Sequence, residues 1–325
     1  WSWLWIGAIP SHGRPLLHIG GLGDGGVRGA HGRSGQIHPL ASEIRVITED
    51  SKPFSGDNII IKNNFIDLQV TPPLGVPMTT TSNPIIERAA ANGVSLDMHG
   101  SVALVRLCRP AKRNALNDGL IEALRDVFQN LPAQARAAVI HGEGDHFCAG
   151  LDLSELKERD AGEGIHHSRG WHVALNAVEQ GRVPVVAALH GAVVGGGLEL
   201  ASASHIRVAD ESTFFALPEG TRGIFVGGGG SVRIPKLIGA ARMTDMMLTG
   251  RVYNAQDGER VGLAQYLVPT GEALNKAIEL ATRIATNAPL TNFALTHALP
   301  RIAEQPADHG PVSYTHLRAH ETVLD

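Results

Sequence analysis

The chain has 325 residues, 43% hydrophobic and 18% charged, with a formal net charge of −4. This balance excludes a disordered chain, which is poorer in apolar residues and more highly charged, and a pI near 6.5 with mixed signs leaves no electrostatic footprint for nucleic acid. Two cysteines cannot build a disulfide framework, and no apolar run reaches the ~20 residues of a bilayer span, so a cytoplasmic protein with no membrane partner is expected.

The first 77 residues differ from the rest. Trp1, Trp3 and Trp5 are three of the four tryptophans, and residues 20–35 form a Gly/His/Arg tract without helical or strand period. Gly21, Gly23 and Gly26 fit G-x-G-x-x-G, but no helix-like pattern follows, so the match carries no dinucleotide site. Met78 precedes Thr-rich sequence and reads as a natural start. Residues 1–77 are therefore expected to be a disordered or non-native extension.

Regular patterning follows. Residues 101–107 (SVALVRL) read as a strand. Asn117 is placed to cap a helix running through Gln129, with Leu120, Ile121, Leu124, Val127 and Phe128 on one face. Residues 137–141 form a short buried strand, and residues 183–189 a second apolar run ended by Gly191. Gly195, Gly196 and Gly197 open a helix over 198–203; short strands follow at 206–209 and 213–215, and helices at 240–248 and 271–286. Strands alternating with helices indicate an α/β fold with a largely buried sheet. Residues 311–325 (PVSYTHLRAHETVLD) break off from a helical run and read as a foreign tail, which leaves a working domain at 78–310.

Chemistry is concentrated at two glycine turns that each follow an apolar strand: Phe147 to Leu153 (FCAGLDL) and His190 to Leu200 (HGAVVGGGLEL). Glycine lets backbone approach a ligand closely, and a helix start presents unpaired N–H groups with partial positive charge. Two such groups converging on one point would hold a developing oxyanion. A third segment, Phe214 to Gly220 (FFALPEG), sets a carboxylate just past a short strand, and Gly227 to Gly230 follow.

Together with Arg109-Pro110, Asn114-Ala115-Leu116-Asn117 and Leu248-Thr249-Gly250, these motifs resemble the enoyl-CoA hydratase/isomerase (crotonase) superfamily over about residues 102–299. The resemblance implies a crotonase-like spiral of repeated ββα units. It also implies a C-terminal helical region, expected to be cut short near Gly310. It implies an acyl-CoA substrate as partner, no separate cofactor because CoA is part of the substrate, no metal, and a homotrimer or hexamer. By motif position, the amides of Leu151 and Gly196 would form the oxyanion hole. Substrate and CoA contacts would come from Lys112, Arg113, Ala149, Gly150, Asp152, Gly195 and Gly227.

Within that superfamily, hydratases use two glutamates, and Glu199 and Glu219 stand at the matching positions. The resemblance assigns Glu199 as the base that activates water and Glu219 as the acid that protonates Cα. Gly227 stands where several hydrolase and dienoyl-isomerase relatives carry an aspartate, which counts against both reactions. Enoyl-CoA isomerisation and hydroxycinnamoyl-CoA hydration with carbon–carbon cleavage remain open alternatives, as does a catalytically silent binding or scaffold subunit. His166, His167 and His172 lack a zinc-like spacing, and Trp171 or His172 is a candidate acyl contact. Cys148 reads as a small buried filler, and Met243, Met246 and Met247 as core or subunit interface.

Overall fold

The computed structural model describes residues 84–155 and 160–305, together with four short strands ahead of them. The glycine-rich tract at 21–35 and the tail at 311–325 lie outside the described residues. The chain divides into two units, Trp1–Met78 and Thr79–Asp325. In the first, β1 (Trp5–Ile9) pairs antiparallel with β2 (Leu16–Gly20), and β3 (Ile60–Lys62) pairs antiparallel with β4 (Phe65–Asp67).

The second unit opens with α1 (Pro84–Ala91) and an antiparallel pair, β5 (Val94–His99) and β6 (Val102–Leu107). Helix α2 (Asp118–Gln129) starts where the sequence places it: the Asn117 side chain accepts the Leu120 N–H at 2.9 Å and satisfies one orphan donor of the first turn. Next come β7 (Ala137–Gly142), α3 (Ala161–Glu179), β8 (Val185–Leu189), β9 (Ala192–Val194) and α4 (Gly196–Ser202). Strands β10 (Ile206–Asp210) and β11 (Phe214–Ala216) lead through a 3-10 turn, Pro218–Arg222, into α5 (Gly230–Ile238) and α6 (Ala240–Thr249). The unit closes with β12 (Val252–Asn254), α7 (Ala255–Val261), β13 (Tyr266–Val268), α8 (Ala273–Ala285), α9 (Pro289–Phe293) and α10 (Leu299–Ala303).

Six strands form the main sheet in the order β13-β10-β8-β7-β6-β5, parallel except for the β5–β6 pair. A second sheet has the order β12-β11-β9. The units β8-β9-α4 and β10-β11-α5 therefore repeat one plan: the first strand joins the large sheet, the second joins the small sheet, and a helix follows. A bridge from Cys148 to Val193 adds the segment after β7 to the small sheet. This is the expected α/β architecture of ββα units.

The fully apolar strands are explained by burial on both faces. On β8, Val185, Ala187 and Leu189 enter the core shared with α2, α3 and α4, while Val186 and Ala188 face Ala277, Leu280 and Ala281 of α8. Strand β7 alternates likewise, with Ala138 and Ile140 in the first core and Ala137 and Val139 in the second. Among the described residues, no helix is long and apolar enough to cross a membrane.

Candidate active site

Two chain reversals are pressed together backbone to backbone. Val194 N–H donates to the Cys148 carbonyl at 3.1 Å, and Cys148 N–H donates to the Ala192 carbonyl at 2.9 Å. The contact is so close that only glycine fits. A Cβ at Gly197 would lie 2.3 Å from the Cys148 carbonyl oxygen, and one at Gly150, whose φ is +94°, would lie 2.7 Å from the Val194 carbonyl oxygen. Gly195 carries the chain from β9 into α4 with φ at +54°.

This junction leaves two amides side by side. A Cβ built on Gly196 would stand 3.6 Å from the Leu151 nitrogen, and one on Gly150 would stand 3.4 Å from the Gly196 nitrogen. Gly196 begins α4, so its N–H has no acceptor in its own helix. Among the described residues, neither the Leu151 nor the Gly196 N–H donates to a backbone carbonyl, whereas the Ala149 and Asp152 N–H groups on either side do, to Arg113 and Leu116.

Two carboxylates flank the junction, both at least nine-tenths buried. Glu199 sits in the first turn of α4, and its Oε1 accepts the N–H groups of Gly228 and Gly230, each at 2.8 Å. Burial pushes its carboxyl up, and the amides of Gly230, Gly228 and Gly227 and the charge of Arg233 oppose that. Glu219 lies in the turn after β11. Its Oε1 reaches within 2.6 Å of where a Gly195 Cβ would be, and its Oε2 is buried without a hydrogen-bond partner. Burial pushes the Glu219 carboxyl up to about 7, and the neighbouring charge of Glu199 adds to the rise. Two buried carboxylates thus sit close enough for the charge of one to act on the other. Backbone donors favour ionisation of Glu199, while Glu219 is left to keep a proton.

The remaining candidate residues divide. Ala149 and Gly150 line the junction, Ala149 through its N–H to Arg113 and Gly150 through its carbonyl, which accepts the Leu116 N–H at 2.7 Å. Lys112 and Arg113 are exposed at the end of a 3-10 turn, Pro110–Lys112, and Arg113 has φ of +52°. Asp152 is already committed within the protein: Oδ1 accepts the Ser154 N–H and hydroxyl at 3.2 and 2.6 Å, and Oδ2 accepts Arg109 Nη2 at 2.9 Å. Those contacts, the Ser154 hydroxyl foremost, hold its carboxyl down at about 2. Its visible work is to hold the 150–154 segment. Gly227 borders open space. Nothing lies within 4 Å of a Cβ there, whereas the glycines packed on Glu199 are Gly228 and Gly230.

Trp171 of α3 is buried with its Cζ3 edge 3.2 Å from a Gly196 Cβ position, while His166 and His172 are exposed and His167 Nε2 contacts Asp118 at 2.8 Å. Cys148 is fully buried, its thiol pushed up to about 12 by burial and directed at the Asn114 carbonyl. It fills space beside the junction, as expected. Sequence reasoning missed the amides of Gly228 and Gly230, the Asn114 side chain that ties Arg109 to the Glu143 and His146 carbonyls, and Arg233. Backbone donors leave no side-chain signature, and only the run of four glycines hinted at a close approach.

A family model described as enoyl-CoA hydratase/isomerase matches residues 97–315. The chain is 31% identical over 209 residues to enoyl-CoA hydratase EchA19 of Mycobacterium tuberculosis, a match covering 63% of this chain and 79% of that protein. It is 34% identical over 223 residues to carnitinyl-CoA dehydratase of Proteus mirabilis, covering 68% and 85%. A crystal structure of a Rhodopseudomonas palustris protein shares the fold with a TM-score of 0.70 at 58% identity, covering 71% of this chain and 90% of that one. With the paired glycine turns and both glutamates in place, the chain belongs to the enoyl-CoA hydratase/isomerase family, and its fold is the crotonase fold.

Proposed function

We propose that the chain is an acyl-CoA hydratase that adds water reversibly to a trans-2-enoyl-CoA. The observation that carries this reading is the unequal pair of buried carboxylates, Glu199 with two backbone donors and Glu219 with a partnerless oxygen. Glu199 takes a proton from water, and the water oxygen bonds to Cβ. The Cα–Cβ π electrons move toward the thioester and leave negative charge on its carbonyl oxygen. The N–H groups of Leu151 and Gly196 receive that charge. Glu219 then delivers its proton to Cα, the electrons return from the oxygen, and the 3-hydroxyacyl thioester results. Charge on the oxygen is greater in the transition state than in the substrate, so each fixed donor lowers the barrier by about 3 kcal/mol.

In this reading the thioester lies along Ala149, Gly150 and Gly195, with Gly227 on the acyl side. Lys112 and Arg113 meet CoA phosphates from the surface, and Asp152 acts by fixing the 150–154 segment. No separate cofactor or metal enters, CoA being part of the substrate. A trimer or hexamer in the cytoplasm completes the proposal. Exposed Leu290, Phe293, Leu295 and Leu299 near the C-terminal helices offer apolar surface for assembly. The similarity to carnitinyl-CoA dehydratase favours a second reading, the same two-glutamate chemistry run as dehydration of a polar acyl chain.

The test is loss of conjugated enoyl-thioester absorbance across straight-chain, aryl and polar acyl-CoAs. Glu199→Gln and Glu219→Gln are each expected to remove at least about 10³-fold of kcat with the circular dichroism spectrum unchanged. Full activity in either variant defeats the two-carboxylate mechanism. Tight CoA binding without turnover of any acyl chain supports a silent binding subunit instead.

A further inference from the structure

We propose that Arg233 is a positioning residue: by clamping the glycine loop that binds Glu199, it holds that carboxylate in place and in its ionised form. This rests on the reading of Glu199 as the base that activates water. Arg233 projects from the first turns of α5 and is buried, 7% exposed. All three guanidinium nitrogens are engaged. Nε donates to Glu179 Oε2 at 2.9 Å, Nη1 to the Gly228 carbonyl at 2.9 Å, and Nη2 to Asn176 Oδ1 at 2.5 Å.

Gly228 is gripped from both sides. Its N–H donates to Glu199 and its carbonyl accepts from Arg233. The loop wraps the guanidinium so closely that a Cβ at Gly229, whose φ is +92°, would fall 2.6 Å from Nη1. A chain of contacts thus runs from Glu199 through Gly228 and Arg233 to Glu179 and Asn176 on α3. Helix α3 also places Leu175 against Gly228 and Trp171 against Gly196. Lysine cannot reproduce this arrangement, because only a planar fork donates in three fixed directions.

The charge matters as well as the geometry. Facing Glu199 are Arg233 from α5, Glu219 and, beyond it, Arg222 from the 3-10 turn, and Glu179 from α3 behind Arg233. Arg233 is the cation that acts directly on Glu199, and Glu179 partly neutralises it. Removing the cation destabilises the Glu199 carboxylate and raises its pKa. Removing the Glu179 charge frees more of the cation and lowers it. A role in packing alone moves neither titration, and charge alone would let Arg233→Lys recover kcat.

The experiment is a ¹³C carboxyl titration of glutamate-labelled full chain, with the Glu199 signal assigned by its loss in Glu199→Gln, alongside pH profiles of kcat/KM on a four-carbon trans-2-enoyl-CoA. Arg233→Met is expected to move the Glu199 titration and the acidic limb up by about one pH unit. It is also expected to lower kcat about 10²-fold, with KM within twofold. Arg233→Lys is expected to restore the limb through its charge without restoring kcat. Glu179→Gln moves both titrations down. Glu179 is half-exposed on a helix surface, so its variant still tests the charge coupling, and Arg233→Lys the geometry, if Arg233→Met fails to fold. A Glu199 titration unmoved in Glu179→Gln, or moved the same way as in Arg233→Met, overturns the proposal. Full activity in Glu199→Gln fails the base assignment itself and leaves the titration to judge the clamp.

Discussion

Glycine amides do two different jobs in the two loops around this site. At the junction of residues 148–151 with 194–197, glycine lets backbone meet backbone, and two N–H groups are left without backbone acceptors among the described residues. At residues 227–230, glycine lets backbone meet a side chain, and the N–H groups of Gly228 and Gly230 are committed to Glu199. In the proposed mechanism the first loop's donors serve a substrate oxygen, whereas the second loop's donors are spent on the protein's own carboxylate. The difference predicts unlike failures. Crowding the first loop presses on main chain, whereas crowding the second presses on side chains, those of Glu199, Leu175 and Arg233.

Gly197→Ala carries the largest expected effect. Its Cβ would stand 2.3 Å from the Cys148 carbonyl oxygen and 2.9 Å from the Cys148 carbonyl carbon, so one of the two backbones must shift. Destabilisation of at least about 3 kcal/mol is expected, the upper end of overpacking costs, together with loss of activity. Urea unfolding measures it, and a midpoint near wild type means the junction is softer than its contacts indicate.

Glu219 has no amide loop of its own, and its stability should show that. Its carboxyl ordinarily ionises near 4.5, but in the fold it holds its proton to about 7. Between those values the native state binds more protons than the unfolded chain, so this group makes stability fall as pH rises from 4.5 to 7. Glu219→Gln removes the fall. The variant is expected to match wild type near pH 4 and to exceed it by about 3 kcal/mol at pH 8, while being inactive. Denaturant titrations at the two pH values check the sign. An equal offset at both would mean that the effect is packing and not protonation. The same proton predicts that hydration declines above about pH 7, where Glu219 loses it.

How much of this was legible in the sequence depends on which kind of group does the work. The Asn117 cap, the buried runs of β7 and β8, and the two glutamates announce themselves through side chains or period, and each lies where the sequence places it. Helix α3 was harder to see. Its early turns read GEGIHHSRG, where glycines and histidines break the apolar stripe, and its buried face begins at Trp171. Strand β5 (VSLDMH) forms the sheet edge against β6, and its mixed polarity hides it beside fully apolar neighbours. Arg233 draws on partners 5 to 57 residues away, a set that only folding assembles.

Gly230→Ala probes the second loop where it touches the carboxylate. Its Cβ would lie 2.6 Å from Glu199 Cγ and 2.9 Å from Oε1, contacts with a buried side chain that must shift. Gly230 is the first residue of α5 and lacks a positive φ, so the backbone accepts alanine. Stability is expected to fall by about 1–2 kcal/mol, less than for Gly197→Ala. The displaced Glu199 loses its aim at water, and kcat falls about 10²-fold. Paired melts and kinetics separate the two; a loss of stability as large as that of Gly197→Ala would erase the distinction between the loops.

Gly227→Ala carries the smallest expected effect and reports on where the acyl group lies. This glycine adjoins the loop, yet a Cβ there meets nothing within 4 Å and its φ is not positive. Alanine at such a position costs no contact and narrows the unfolded ensemble, so stability should hold or rise by up to about 1 kcal/mol. The kinetic constants then distinguish two places for the substrate. If the open space beside Gly227 is solvent, kcat and KM both stay within twofold. If the acyl group occupies it, the methyl group raises KM for long or aryl chains while sparing the four-carbon substrate. Uniform loss of kcat for every chain length would instead make Gly227 part of the hold on Glu199, where its own amide already favours the ionised carboxyl.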